Sequence, residues 1–401
     1  VKKCRIYAAL GVSQTPNSIP YTEVESKEHL ALAERAALES AVLLKNDGLL
    51  PLDKEKIRTV GVIGPNADSR AALIGNYHGT ASRYETIQQG LQDYLGEEVH
   101  VLTSAGCALS DDRTEKLAFA GDRLAEAQIV ADNSDVVILC VGLDETLEGE
   151  EGDTGNSYAS GDKETLLLPK VQRDLMEAVA ATGKPVVLCM MSGSDMDLSY
   201  AREHFDAILQ LWYPGSQGGS AAAKLLFGEV SPSGKLPVTF YETLEELPEF
   251  ENYTMKGRTY RYMEHEAQYP FGFGLTYGDV RVTDAQIKSG SAIEGMVLEV
   301  TAENAGTTAT DEVLQVYIKC TDNANAVPNP ALAAFKRVHL QAGETVTVEM
   351  PVSARAFTVV DEAGMRRMDG THFAIYAGVS QPDARSVELT GAEPVRLEVQ
   401  I

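Results

Sequence analysis

From Ser26 onward, apolar residues recur at three- and four-residue spacing. Leu30, Ala33, Ala37, Ala41 and Leu44 form one stripe that ends at Asn46-Asp47-Gly48. With Ser26 available as a cap and Glu28 in the first turn, the pattern predicts a helix over this stretch. Short apolar runs and helical stripes then alternate. Strand-like runs cover Thr59 to Ile63, Val99 to Thr103, Asp135 to Val141, Pro185 to Met190 and Ala207 to Trp212. Helical stripes cover Glu115 to Ala131, with Leu117, Ala120, Leu124 and Ala127 on one face, then Val171 to Ala181, and Gly218 to Phe227 before Gly228. The run Val-Val-Ile-Leu-Cys-Val at 136–141 has no polar face, as expected of a strand buried on both sides of a parallel sheet. Such alternation predicts a doubly wound α/β layer.

After Gly234-Lys235-Leu236-Pro237 the alternation stops, and residues 247–277, rich in Tyr and Pro, show little periodicity. Beyond them the period becomes two. Val346, Val348, Met350 and Val352 alternate with Thr345, Thr347, Glu349 and Pro351. Comparable runs occupy Val297 to Val300, Val313 to Ile318, Phe373 to Ala377 and Val395 to Ile401, with turns at Asn304-Ala305-Gly306, Gly343-Glu344 and Asp369-Gly370. An antiparallel β-sandwich is expected there. The predicted organisation is a lead-in at 1–27 containing Pro16 and Pro20, an α/β domain at 28–246, a bridging segment at 247–277 and an all-β sandwich at 278–401.

A chain of 401 residues exceeds what one core usually supports, which agrees with two domains. The charge adds an exclusion: 34 Lys and Arg against 59 Asp and Glu leave a net charge of -25, which repels nucleic-acid phosphates and anionic membrane surfaces. No apolar run is long enough to span a bilayer. Val1-Lys2-Lys3-Cys4 resembles neither a signal nor a transit peptide, and without an initiator Met the natural N-terminus is expected upstream. The five cysteines are widely spaced, and Cys140 and Cys189 fall inside strand-like runs, so a reducing, cytoplasmic setting is expected.

Ligands of an open α/β sheet collect beyond the carboxyl ends of its strands, which singles out three loops: Gly64-Pro65-Asn66-Ala67-Asp68, the segment after Val141, and Ser192-Gly193-Ser194. The middle loop, Gly142-Leu143-Asp144-Glu145-Thr146-Leu147-Glu148-Gly149-Glu150-Glu151-Gly152-Asp153, places six carboxylates within twelve residues. Mutual repulsion can keep one such carboxyl protonated for use as a general acid; a solvated acidic loop or a weak cation site would have the same composition. The Gly64 loop lacks the glycine pattern and the Lys-Ser/Thr of a nucleotide site, which makes a nucleotide-binding protein a distant reading. Ser192-Gly193-Ser194 lacks the flanking glycines of a nucleophile elbow. His78 and His204 have no partner at ligand spacing, so no metal is expected. Tyr77, or Trp212-Tyr213, could stack on a sugar ring or pack in the core.

A series of motifs resembles the C-terminal regions of family 3 glycoside hydrolases. It comprises Val42-Leu43-Leu44-Lys45-Asn46 with Leu50-Pro51-Leu52, Val62-Ile63-Gly64-Pro65-Asn66-Ala67, Gly183-Lys184-Pro185-Val186-Val187, Trp212-Tyr213-Pro214-Gly215, Gly234-Lys235-Leu236-Pro237-Val238-Thr239 and Tyr269-Pro270-Phe271-Gly272-Phe273-Gly274-Leu275-Thr276-Tyr277. Order and spacing match over nearly the whole chain. Gly75-Asn76-Tyr77-His78-Gly79-Thr80, the acidic loop and Gly257-Arg258-Thr259-Tyr260-Arg261-Tyr262 look most similar to the β-xylosidase branch, which includes enzymes acting on arabinofuranosides; the β-glucosidase branch is the alternative.

The resemblance implies an α/β sandwich domain followed by a fibronectin type III-like domain, without the (β/α)8 barrel that usually precedes them and carries an aspartate nucleophile. It implies a retaining exo-β-glycosidase of xylose-containing oligosaccharides, whose acid/base glutamate lies on the acidic loop. Position assigns that role to Glu148, with Glu150 as rival. Many relatives have Asp-Arg after these glutamates, whereas Asp153 is followed here by Thr154. Tyr77 and His78 are the candidate substrate contacts. No cofactor is implied, and the expected partners are an oligosaccharide and a barrel, in the same precursor or on a separate chain; a homo-oligomer is open. From another class, a non-catalytic carbohydrate-binding or assembly module fits the same motifs.

Overall fold

The computed structural model of the chain describes residues 19–113, 115, 117–150 and 163–401. Most of the proposed lead-in, and the positions Glu151, Asp153 and Thr154, lie outside the described residues. The first domain has α1 (Lys27–Ser40), β1 (Val42–Asn46), β2 (Thr59–Ile63), α2 (Ala71–Ile74), α3 (Ile87–Leu95), β3 (His100–Ser104), α4 (Leu124–Asp132) and β4 (Val136–Gly142). It continues with α5 (Lys170–Ala180), β5 (Val186–Met191), α6 (Ser199–His204), β6 (Ala207–Gln210) and α7 (Gly218–Leu226). Its sheet runs β3-β2-β4-β5-β6-β1, parallel except for β1, which pairs antiparallel with β6. Helices α4, α5 and α6 cover one face and α3 and α7 the other, so β4 and β5, between them, are buried at every residue. The doubly wound expectation is met. The thiols of Cys140 and Cys189 are buried and free on these adjacent strands.

Three local expectations are corrected. The helix predicted through Leu44 stops at Ser40: Ala41 turns extended (φ -60, ψ 131), and Val42 to Leu44 become fully buried sheet. Ser26 does cap the helix, accepting from the His29 N–H at 3.3 Å. The stripe from Glu115 gives helix only from Leu124, because Gly121 takes a left-handed turn (φ 68) and Leu117 and Phe119 are 97% and 84% exposed. The strand predicted to reach Trp212 ends at Gln210, since Trp212 itself is left-handed (φ 59).

After a short helix, α8 (Thr259–Tyr262), the second domain comprises β7 (Val280–Ser291), β8 (Gly295–Asn304), β9 (Thr310–Cys320), β10 (Ala331–Leu340), β11 (Thr345–Val352), the short pair β12 (Val359–Val360) and β13 (Arg366–Arg367), β14 (His372–Gly378), α9 (Ala384–Thr390) and β15 (Val395–Gln400). Two antiparallel sheets, β10-β9-β14-β15 and β11-β8-β7, enclose a core containing Leu298, Val300, Leu314, Val316, Phe357, Phe373 and Ile375. This is the expected sandwich. The bridging segment is woven into the first domain: Phe240 N–H donates to the Tyr269 carbonyl at 3.0 Å, Leu236 N–H to that of Phe273 at 2.8 Å, and Leu275 N–H to that of Leu43 at 2.8 Å. It also meets the sandwich, where Gln315 Nε2 donates to the Gly272 carbonyl at 2.9 Å. Beside it, Lys235 and Glu312 form a buried ion pair across the domains at 2.7 Å.

Candidate active site

Strands β2 and β4 are neighbours, but the chain leaves β2 for β3 on one side and returns to β4 on the other. That reversal makes the carboxyl ends of β2 and β4 a topological switch point, the usual ligand position in such sheets. The acidic loop emerges there. Its root is clamped by Gln172, which accepts from Gly142 N–H at 2.8 Å and donates to the Gly142 and Leu109 carbonyls at 2.8 and 2.7 Å. Asn66, buried in the β2 loop, donates to the Leu143 carbonyl at 3.0 Å.

Asp144 then shapes the loop. Its Oδ1 accepts from Thr146 N–H at 2.8 Å and Thr146 Oγ1 at 2.6 Å, while its carbonyl accepts from Leu147 and Glu148 N–H at 3.1 and 2.9 Å. This single turn buries Leu147 and sends Glu148 inward. Glu148 Oε2 accepts two hydrogen bonds, from Gly193 N–H at 2.7 Å and from the Tyr213 hydroxyl at 2.6 Å. A Cβ at 193 would lie 3.0 Å from Tyr213 Cε2 and 3.1 Å from Glu148 Oε2, so a side chain there would press on both groups. Burial, reinforced by the Glu148 charge, pushes the Tyr213 hydroxyl far above its ordinary range and keeps it a donor.

Gly193 is held by its own loop: Ser192 Oγ donates to the Ser194 carbonyl at 2.9 Å, and buried Gln210 donates to the Ser192 carbonyl at 2.9 Å. Tyr213 is aimed by the left-handed Trp212, whose indole N–H donates to the Ser40 carbonyl at 3.0 Å and whose ring meets Phe240 edge-on at 6.1 Å. Of the two readings open for Trp212, packing is therefore the one observed.

Behind this cluster lie two further charged groups. Lys163 Nζ donates to the Asp195 carbonyl and lies 3.3 Å from Met196 Sδ; burial lowers its pKa, against the opposing charges of Glu148 and Asp195. Burial pushes the Asp195 carboxyl up to about 7, although its Oδ2 accepts from Tyr241 N–H at 2.7 Å and Lys163 lies close. Asp195 Oδ1 is buried with no partner among the described residues.

Of the residues singled out in the sequence, His78 joins the acidic loop, its Nε2 3.3 Å from Glu145 Oε2. Tyr77, left-handed and 85% exposed, makes no hydrogen bond or ring contact among the described residues. Glu150 is exposed at the outer end of the loop. Lys163 and Asp195 were not foreseen, Gly193 was foreseen only as part of one of the three carboxyl-end loops, and Tyr213 only as a ring that stacks on a sugar or packs in the core. Among the described residues no three His, Cys, Asp or Glu side chains gather as a metal site. Glu148 differs from a solvated loop carboxylate because one oxygen is fixed by two donors. That leaves Oε1 as the oxygen that accepts no hydrogen bond among the described residues.

The family model described as the glycosyl hydrolase family 3 C-terminal domain matches residues 41–277, and that of the fibronectin type III-like domain matches residues 312–381. The sequence is 32% identical over 386 residues to a β-xylosidase of Formosa agariphila, covering 92% of this chain and 51% of that protein. It is 31% identical over 388 residues to the periplasmic β-glucosidase of Salmonella typhimurium, covering 89% and 49%. Among solved structures, a β-glucosidase from Erythrobacter marinus superposes with a TM-score of 0.79 at 30% identity, over 94% of this chain and 51% of that one. A family 3 exo-β-xylosidase in complex with a xylobiose aziridine probe gives 0.79 at 25% identity, over 97% and 51%. The chain spans about half the length of these relatives.

Proposed function

This chain belongs to glycosyl hydrolase family 3, and from that premise we propose that it is the acid/base-bearing portion of a retaining exo-β-glycosidase that releases terminal β-D-xylosyl residues from oligosaccharides. The observation that carries the reading is the carboxylate of Glu148, fixed through Oε2 by donors from the loops that follow β5 and β6 at the carboxyl edge of the sheet. In this reading a (β/α)8 barrel, in the same precursor or on a separate chain, supplies the nucleophile. A retaining mechanism needs the two carboxyl groups about 5–5.5 Å apart. Glu148 Oε1 delivers its proton to the leaving oxygen as the nucleophile attacks C1, then takes a proton from the water that releases the sugar. Relatives named β-xylosidases favour the xylosyl unit; the similarity to β-glucosidases supports a glucosyl unit as the second reading.

The assignment is tested in the barrel-containing enzyme with Glu148→Gln and Glu150→Gln. Loss of the acid slows cleavage of xylobiose by roughly 10²–10⁴. An aryl β-xyloside whose leaving group needs no proton is spared in its glycosylation step. We expect this selective loss in Glu148→Gln; a variant that hydrolyses xylobiose at the wild-type rate sinks the choice, and the same loss appearing in Glu150→Gln instead transfers the role. The ratio of kcat/KM for aryl β-xyloside and aryl β-glucoside decides between the two sugars.

A further inference from the structure

Three chain segments converge on a single oxygen of Glu148. The acidic loop brings the carboxylate, the loop after β5 brings the Gly193 N–H at 2.7 Å, and the turn after β6 brings the Tyr213 hydroxyl at 2.6 Å. Among the described residues, Oε1 of the same carboxylate accepts no hydrogen bond. We propose that Tyr213 is a positioning residue for proton transfer: its hydroxyl pins Oε2 of Glu148 so that Oε1 faces the glycosidic oxygen in both halves of the reaction. The inference rests on the acid/base reading of Glu148.

The fixity of the phenol supports this role. Two glycines abut the Cδ2–Cε2 edge of its ring: a Cβ on Gly75 would sit 2.5 Å from Tyr213 Cδ2, and one on Gly193 would sit 3.0 Å from Cε2. The backbone therefore lies close against that edge of the ring. The residue before it, Trp212, adopts φ 59, a conformation that costs a non-glycine residue on the order of 1–3 kcal/mol and persists only where the surroundings impose it. The Ser40 carbonyl and the Phe240 ring do so. A hydroxyl held this rigidly selects one rotamer of the carboxyl, and a retaining cycle needs the same carboxyl to give a proton and then to take one at the same place.

Tyr213→Phe removes only the donor. In the barrel-containing enzyme we expect kcat on xylobiose to fall roughly ten- to hundredfold, as for loss of one hydrogen bond to a charged group, with KM within about twofold of wild type. Hydrolysis of 2,4-dinitrophenyl β-xyloside, which needs no acid to expel its leaving group, is expected to stay within about twofold in kcat/KM. A melting temperature close to wild type checks that packing is intact. A loss of the same size on both substrates, or no loss on either, overturns the proposal while leaving the acid/base reading standing if Glu148→Gln still discriminates between them. If Glu148→Gln cleaves xylobiose normally, the acid/base reading fails and the role of Tyr213 fails with it.

Discussion

Asp195 shows how the fold sets the charge state of single residues near Glu148. Its carboxyl is pushed up to about 7 by burial, so between about pH 4 and about 7 the folded chain holds a proton that the unfolded chain has released. In that window the native state binds more protons than the unfolded one, so this residue makes stability fall as pH rises, and its effect levels off above about 7. Asp195→Asn keeps an acceptor for the Tyr241 N–H and removes the titration. Urea unfolding at pH 4.5 and 7.5 is expected to show the variant gaining on wild type by a few kcal/mol at the higher pH; parallel profiles would refute it. None of this was legible in the sequence. The acidic run marked the loop and the family resemblance put the role on Glu148, but the partners of Glu148 are 45 and 65 residues away, and one of them is a backbone N–H, which has no residue signature. Asp195 reads as an ordinary loop aspartate until β5 and the Tyr241 segment close over it.

Among the elements, the strands that lie between two helical layers were the easiest to read, since burial on both faces leaves an uninterrupted apolar run, as in β4. Strand β1 was hidden because its Val-Leu-Leu continues the apolar spacing of α1, and only its partner β6 reveals it as sheet. Edge strands β7 and β10 were missed for the opposite reason: few of their side chains are buried, so the alternation is faint. A close helix crossing in the α/β domain joins α3 to α7. A Cβ on Gly90 would lie 2.0 Å from the Gly219 carbonyl carbon and 2.2 Å from its oxygen, so the helices cross backbone to backbone. Gly90→Ala must push them apart although alanine favours a helix. We expect a loss of about 3 kcal/mol or more, seen as a melting temperature lower by several degrees, whereas an unchanged or higher melting temperature would show that the crossing can relax.

For the molecule as a whole, the two-domain plan was legible because the hydrophobic period changes from mixed to two, and the family was legible from motifs set at strand ends and turns. The interlock was not, since Lys235 and Glu312 are 77 residues apart and nothing in the motif around Lys235 points to a partner in the sandwich. If the nucleophile comes from a barrel, the purified 401-residue chain should leave an aryl β-xyloside intact while the barrel-containing enzyme hydrolyses it; turnover by this chain alone would contradict the proposed division of labour. The antiparallel strand β1 has a different kind of consequence. Val42 must find Gln210, and Leu43 is also bridged by Leu275, so the first strand made in this domain has partners that are translated far later. At about 5–20 residues per second, a ribosome takes on the order of ten seconds or more to deliver them. For that interval the nascent chain carries an unpaired apolar strand, a ready target for chaperones during synthesis.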